Sequence, residues 1–392
     1  MTREPIEVGF IPLVDCAPLV VAREIGFAEE EGLDLQLRKA PSWSSLRDRL
    51  ALGALDAAHM LAPMPVAMSL GLGGIPAPLD ALAMISVNGD VIGVSTALAA
   101  RMAALGERPD FMDAQAVGRR LIAAAEGRLR LGVPFPFSMH AELSYYWLDA
   151  LGLQSPKGLD VRTVPPPLMA AAMAAGEIDA FCVGEPWGSV AVENGVAELI
   201  LPGCAIWRFA PEKVLAVRRG WSDEQPARVG QLMRAVWRAG KWLSDPAHRL
   251  AASELLARPD YVDVPSEIIE RSLAGRLVIA ATGEERRAPR FVEFFDAAAT
   301  FPWRSQAVWM ATRLAERNGL DRAEAARAAR ACFRTDLYRR ELGPAGADLP
   351  GASEKLEGAL DQPTAVASAA GRMILGPDLF FDGRVFDPTE AA

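Results

Sequence analysis

The sequence predicts an α/β protein in which strands alternate with crossover helices. Residues 6–60 alternate between short β-type runs and segments with helical spacing, and the same alternation returns further along the chain. With 392 residues, of which 51% are hydrophobic, the chain suits two or three domains with large cores.

The N-terminal part shows this alternation most clearly. Gly32 is placed to end the first long helix, and Ser42 or Ser44 can cap the helix that follows. Apolar and polar residues alternate over 33–37, as they do in a half-buried strand. The predicted elements are, in order, strand 6–12, helix 17–31, strand 33–37, a helix through residues 46–52 and strand 55–60.

Further along, strands and helices continue to alternate until a mostly helical region over residues 222–340. In that region Trp237, Trp242, Trp303 and Trp309 are predicted core anchors. The elements predicted before it are strand 83–94 with a turn at Asn88-Gly89, helix 123–131, helix 140–152, strand 160–164, helix 168–176, strand 178–183 and strand 212–217.

Composition argues against several functional classes. The formal net charge of −9, with no basic stripe, argues against direct binding of nucleic acid. No uncharged stretch approaches the length of a membrane span. The four cysteines are far apart and form no CxxC, so we predict neither a zinc site nor a disulfide framework, and no cofactor.

The N-terminal stretch MTREPIEVGF lacks the basic and apolar regions of a secretion signal. We therefore expect a cytoplasmic protein. A start codon assigned too far downstream is the alternative.

Polar and aromatic residues follow several predicted strands. In an open α/β sheet, ligands bind in the crevice outside the carboxyl ends of the strands, and helix N-termini there suit an anion. Taken singly, each residue has an ordinary structural explanation as a packing, capping, turn or surface residue. The candidates are Trp43, Asp90, His140, the triple proline Pro165–Pro167 and Lys213. His59, inside a predicted strand, is predicted to be structural.

Taken together, these residues lie in strings that resemble one known family. The strings are GFIPLVDCAPLVVAREIGFAEEEGLDL, SWSSLRDRLALGALDAAHMLAPMP, NGDVIGVS, FPFSMH, VPPPLMAAAMAAGEIDAFCVGEPW and APEKVLAV. In this order they are similar to the substrate-binding proteins of nitrate and bicarbonate ABC importers. The resemblance spans residues 9–217.

The resemblance implies a two-lobed, periplasmic-binding-protein-like fold of type II, with a small oxyanion between the lobes. One lobe would hold residues 1–88 and 205–392, including a helical C-terminal part, and the other residues 89–204. The hinge between two crossovers would let the lobes close on the ligand. The positions that match the family's ligand contacts are Trp43, Asp90, His140, Pro166 and Lys213.

The resemblance also bears on the ligand. In bicarbonate binders the position of Lys213 is acidic and a bound cation compensates, so the lysine here favours nitrate or nitrite. Nitrate-binding members carry an amide at the position of Asp90 and tend to carry threonine at that of Met139. Nitrite, another small anion, a neutral molecule or weak nitrate binding therefore all remain open.

Members without a leader resemble a cytoplasmic nitrate/nitrite sensor. That sensor binds an RNA-binding antiterminator protein when ligand is absent and releases it when ligand is present. We therefore expect a non-enzymatic sensor that binds no nucleic acid itself. One alternative is the substrate-binding protein of a nitrate/nitrite-type ABC importer. Another is an enzyme with His140 and Asp90 as acid and base, although no nucleophile, base and orienting group can be recognised together.

Overall fold

In the computed structural model, which describes residues 5–75 and 77–391, the protein has two main β-sheets flanked by helices. Residues 1–4, part of the stretch on which the leader prediction depends, lie outside the described residues. Among the described residues, we find no helix with the length and apolar character needed to cross a bilayer.

The first sheet, with its helices, is called lobe I. Strand Pro5–Phe10 pairs in parallel with two neighbours, as the strand–helix alternation predicts, whereas Pro211–Arg218 runs antiparallel to both of its neighbours. Across the sheet the strands are Val292–Glu293, Leu79–Asn88, Pro211–Arg218, Ala57–Leu61, Pro5–Phe10 and Asp34–Lys39.

The second sheet, with its helices, is called lobe II. Leu129–Val133 pairs in parallel with both neighbours, and Asp90–Ser95 is antiparallel to both of its own. Across the sheet the strands are Leu159–Thr163, Leu129–Val133, Ala180–Gly184, Asp90–Ser95 and Ala197–Pro202.

The observed helices differ from the predicted ones mainly in where they are interrupted. The helix predicted over 17–31 is interrupted at Gly26, whose φ of 92° is left-handed. Lobe II has helices Thr96–Ala104, Ala114–Ala124, Met139–Ala150, Met169–Ala174 and Trp187–Glu193. Lobe I and the C-terminal region have Ala17–Glu24, Phe27–Glu30, Trp43–Ala51, Pro63–Ser69, Trp221–Glu224, Pro226–Leu243, Arg249–Leu256, Ser266–Leu273, Arg304–Asn318, Arg322–Cys332 and Thr335–Leu342.

The chain passes between the lobes at Gly89 and again between Pro202 and Pro211. The strand predicted over 83–94 is therefore wrong as a single element, because its two halves belong to different sheets. Asn88 and Gly89 both have positive φ, which turns the chain at this point. The Asn88 side chain donates to the carbonyls of Arg208 and Arg290 and accepts from Ala210 N–H, so it ties the crossover segments together.

The helix predicted over 123–131 is also wrong. The helix there ends at Ala124, and Leu129–Val133 is an interior strand of the lobe II sheet. Leu129, Leu131 and Val133 are buried, and this alternation is better satisfied by a sheet than by one helix face. Long-range strand pairing decided the conformation of a short segment that is locally ambiguous.

The C-terminal region packs back on both lobes. Phe380 stacks on Trp207 at 4.6 Å between ring centroids, and Tyr146 in lobe II donates to Asp382 at 2.8 Å. A hairpin of Arg276–Val278 and Glu285–Arg287 places Leu277 in a core shared with the lobe II sheet. Where the chain divides into lobes, predicted at residues 88 and 205, stays a prediction.

Candidate functional site

Buried polar side chains meet between the two lobes, where strands of both sheets end. Several lie beyond or at the ends of strands, as expected for a site in an α/β crevice. Each is at most 1% exposed, which is rare for charged residues unless they are paired or bind something. This cleft cluster consists of Asp15, Trp43, His59, Asp90, His140, Glu212 and Lys213.

Two capped helices present aromatic side chains to the cluster. Ser42 caps the helix Trp43–Ala51 by accepting from Ser45 N–H, so Trp43 is its first residue. Ser138 caps Met139–Ala150 in the same way, which places His140 in the first turn. Both rings therefore stand beside helix N-termini, where backbone N–H groups favour negative charge.

Lys213 occupies the centre of the cluster. Its Nζ lies 2.6 Å from Asp15 Oδ2 and 2.5 Å from Glu212 Oε1, and 5.5 Å from the Trp43 ring centroid. Burial alone would lower the pKa of Lys213, but the surrounding carboxylates outweigh burial and raise it. Burial likewise acts to raise the pKa of Asp15, yet Lys213 and His59 hold it well below its usual range. Both groups are therefore charged at neutral pH.

An irregularity in strand Pro211–Arg218 brings Glu212 and Lys213 together. Consecutive residues of a regular strand point to opposite faces of the sheet. The pairing with Leu79–Asn88 shifts register on both sides of Lys213. Such a bulge changes the direction of a side chain, and here both neighbouring residues reach the same cluster.

His59 lies on the lobe I side of the cluster. Its Nε2 is 2.9 Å from Asp15 Oδ1, and its ring is 5.6 Å from the Trp43 ring. Burial lowers the pKa of His59 and keeps the imidazole neutral at neutral pH, despite the opposing effect of Asp15. His59, which we predicted to be structural, thus orients a carboxylate that pairs with Lys213.

On the lobe II side, His140 lies between two carboxylates. Its Nε2 is 2.9 Å from Asp90 Oδ1 and its Nδ1 is 3.5 Å from Glu212 Oε1, but neither contact is aligned as a hydrogen bond. Burial raises the pKa of Asp90 to about 6 and that of Glu212 to about 8, and lowers that of His140 to about 4. Their charged forms are disfavoured because they have few partners.

Four of the five residues predicted from the sequence lie in the cluster, namely Trp43, Asp90, His140 and Lys213. Pro166 is buried at the carboxyl end of the edge strand Leu159–Thr163 and adds no polar side chain. Met139, beside His140, is fully buried. Asp15 and Glu212 were not predicted from the sequence, although Glu212 is adjacent to Lys213, which was.

Direct hydrogen bonds join lobe I to lobe II. Trp187 Nε1 in lobe II donates to the carbonyl of Pro12 in lobe I at 2.7 Å. Val14 N–H donates to the Glu185 carbonyl at 2.9 Å. A Cβ on Gly184 would lie 3.2 Å from Leu13 and 3.5 Å from His140, so a glycine allows this close approach. The lobes are closed over the cluster.

Two α/β lobes closed on a buried polar cluster define the class of two-lobed, periplasmic-binding-protein-like folds. Within that class the chain belongs to the NMT1-like family, which matches residues 2–257.

The relatives of this chain include an import protein and a binding protein. The chain is 34% identical over 318 residues to the nitrate import ATP-binding protein NrtC of Synechocystis, covering 81% of this chain but only 46% of that protein. It is 30% identical to the nitrate/nitrite binding protein NrtA of Synechocystis, covering 97% of this chain and 82% of that protein.

Among solved structures, the chain is similar to the periplasmic nitrate-binding protein NrtA from Synechocystis PCC 6803. The TM-score is 0.83 at 26% identity, over 99% of this chain and 96% of that one. The predicted fold and the resemblance to nitrate and bicarbonate importer-binding proteins are therefore confirmed.

Proposed function

We propose that the protein binds a small oxyanion, nitrate or nitrite, between its lobes. The observation that carries this proposal is the buried ammonium of Lys213 beside unpartnered Trp43 Nε1 and His140 nitrogens. The names of the relatives, nitrate/nitrite binding and nitrate import proteins, support the same ligand class.

The chemistry of these groups fits a planar anion with a single charge. The indole N–H of Trp43 has no partner and can donate to an oxygen, and His140 can donate from one ring nitrogen. A buried donor without a partner costs about 1–3 kcal/mol, which a bound oxygen would recover. Lys213 is the cationic member of the cluster and attracts an anion, although its ammonium also contacts Asp15 and Glu212.

Asp90 and Glu212 oppose this ligand when they are ionised. Both side chains are buried and have oxygen atoms without hydrogen-bond partners. An anion beside them is favoured only when they are neutral or paired with positive charge. If the anion is the only ligand of the cleft, Asp90→Asn should therefore strengthen anion binding.

The test is calorimetric titration of EDTA-treated protein with sodium nitrate and sodium nitrite. We expect Lys213→Met to weaken binding by about 1.5–3 kcal/mol, the range for hydrogen bonds to charged groups. Lys355→Met is the matched control, because Lys355 also lies between two buried carboxylates, Glu357 and Asp378, outside the cleft, with 13% of its side chain exposed. Absence of binding at millimolar anion, or equal affinity of the Lys213 variant, would contradict the proposal.

We further propose that the chain is the ligand-responsive sensor that controls an RNA-binding antiterminator protein. Ligand would favour the closed lobes and disfavour the partner, and linkage makes the partner weaken ligand binding by the same factor. Affinity capture from the native cell should recover an RNA-binding protein without nitrate and lose it when nitrate is added. Capture that does not respond to nitrate would contradict this role.

The substrate-binding component of an ABC importer is the second candidate. The observation that favours it is the likeness over nearly the whole chain to a periplasmic nitrate-binding protein. Cell fractionation separates the two candidates, since recovery from the periplasm supports the importer and recovery from the cytoplasm supports the sensor.

A further inference from the structure

Asp90 and His140 of lobe II and Glu212 of lobe I have buried atoms without a hydrogen-bond partner. These are both carboxylate oxygens of Asp90, Oε2 of Glu212 and both ring nitrogens of His140. The three side chains are at most 1% exposed, so bulk water does not satisfy them. Because buried polar groups nearly always have partners, this set requires one.

The spacing of these atoms fits a coordination shell better than a hydrogen-bond network. The contacts of His140 Nε2 with Asp90 at 2.9 Å and of His140 Nδ1 with Glu212 at 3.5 Å both lack hydrogen-bond alignment, and one of these two nitrogens would bind a metal. Metal bonds of about 2.0–2.2 Å place neighbouring ligand atoms roughly 3–3.5 Å apart. One ligand atom from each residue can be chosen so that all lie within 4.8 Å of one another, so the ligand atoms would draw together by about 1 Å to bind a metal.

The charges of the cluster also point to a cation. Asp15 pairs with Lys213 at 2.6 Å and their charges cancel. Metal binding would hold Asp90 and Glu212 in their ionised forms, which carry two negative charges, while the neutral imidazoles add none. Buried charges are normally paired or coordinate metals, and one divalent cation would neutralise these two.

We propose that Asp90, His140 and Glu212 bind a divalent transition-metal cation, with Zn²⁺ as its representative. One imidazole and two carboxylates are a ligand set that suits such metals. Glu212 would bridge the two charges, with Oε1 towards Lys213 and Oε2 towards the metal.

The cation would also explain how an anion enters an acidic cleft. Three protein ligands leave a coordination position open, which an oxygen of nitrate or nitrite can occupy beside Lys213. Only this last step rests on the proposed function, since the metal site itself follows from the three side chains.

The test is titration of the full chain, stripped with EDTA and desalted, with zinc chloride in a calorimeter, with and without sodium nitrite. We expect one Zn²⁺ per chain, and Asp90→Asn or His140→Gln to weaken binding at least tenfold. Asp179→Asn is the control, because Asp179 precedes the strand that ends at Gly184, at the other end from the cleft. Cobalt(II) added instead of zinc should give a visible absorption band that His140→Gln changes.

Thermal melts check that each variant is folded, and His140→Gln replaces Asp90→Asn if the latter is not. Zinc binding without any anion effect would support the metal site and count against nitrite as the ligand. No zinc binding, or equal binding by both cleft variants, would overturn the metal site, while anion binding to the stripped protein would leave the proposed function intact.

Discussion

Replacing Lys213 by methionine should destabilise the protein strongly at neutral pH. The Lys213 ammonium is fully buried, at 2.6 Å from Asp15 and 2.5 Å from Glu212. The variant keeps a side chain of similar length but leaves the ionised carboxylate of Asp15 without its counter-charge and Glu212 without its hydrogen-bond donor. Removing one partner of a buried ion pair costs about 3–5 kcal/mol, because an uncompensated charge stays buried.

Urea unfolding followed by far-ultraviolet circular dichroism measures this loss. Lys355→Met should lose a similar free energy, since Lys355 lies 2.6 Å from Glu357 and 2.5 Å from Asp378. Lys213→Met alone should lose anion binding, which separates stability from function.

A double variant, Asp15→Asn with Lys213→Met, tests the electrostatic explanation. It removes the uncompensated charge of Asp15, so it should be more stable than Lys213→Met by about 1–2 kcal/mol. The reasoning is refuted if Lys213→Met loses less than about 1 kcal/mol, or if the double variant is less stable than the single one.

Three further predictions concern neighbouring features. Burial raises the pKa of Glu185 from 4.5 to about 7, so this group should lower the free energy of unfolding by about 3 kcal/mol as pH rises between these values. Glu185→Gln should reduce the slope in urea titrations by this amount, and an unchanged slope would contradict the prediction. Trp187→Phe removes the bond to Pro12, so closure should weaken by about 1 kcal/mol, and small-angle scattering should show a larger radius of gyration; an unchanged radius would contradict this. Gly93→Ala places a Cβ 2.3 Å from the Phe181 ring and should lower stability by about 1–3 kcal/mol in a thermal melt, whereas an unchanged Tm would contradict it.

The fold was largely predictable from the sequence because strand–helix alternation is a local signal. The prediction failed at a short segment whose local pattern does not decide between helix and strand. Residues 123–131 are rich in alanine and charged residues and were predicted as a polar helix, yet 129–133 pairs with two other strands. The prediction also failed at residues 83–94, because the strand-like pattern continues through Gly89 although the chain passes there from one sheet to the other.

The site was predictable only in part, because its remaining members depend on tertiary structure. Trp43 and His140 follow helix caps that the sequence shows, whereas Asp15 lies in a three-residue 3-10 helix of lobe I with no distinctive pattern. Glu212 could not be predicted from alternation, which places it on the opposite face from Lys213. The bulge that brings both into the cluster arises from pairing with a distant strand.

The distribution of the cluster between the lobes connects binding to closure. Asp15, Trp43 and Lys213 belong to lobe I, and Asp90 and His140 to lobe II. A ligand that pairs groups from both sides gains contacts only when the lobes are together, so its binding free energy favours the closed form. A partner that recognises the open form is then displaced in proportion to that difference in affinity. The same physical coupling serves a sensor or an importer. The two roles differ in the partner protein and in whether that partner recognises the open or the closed form.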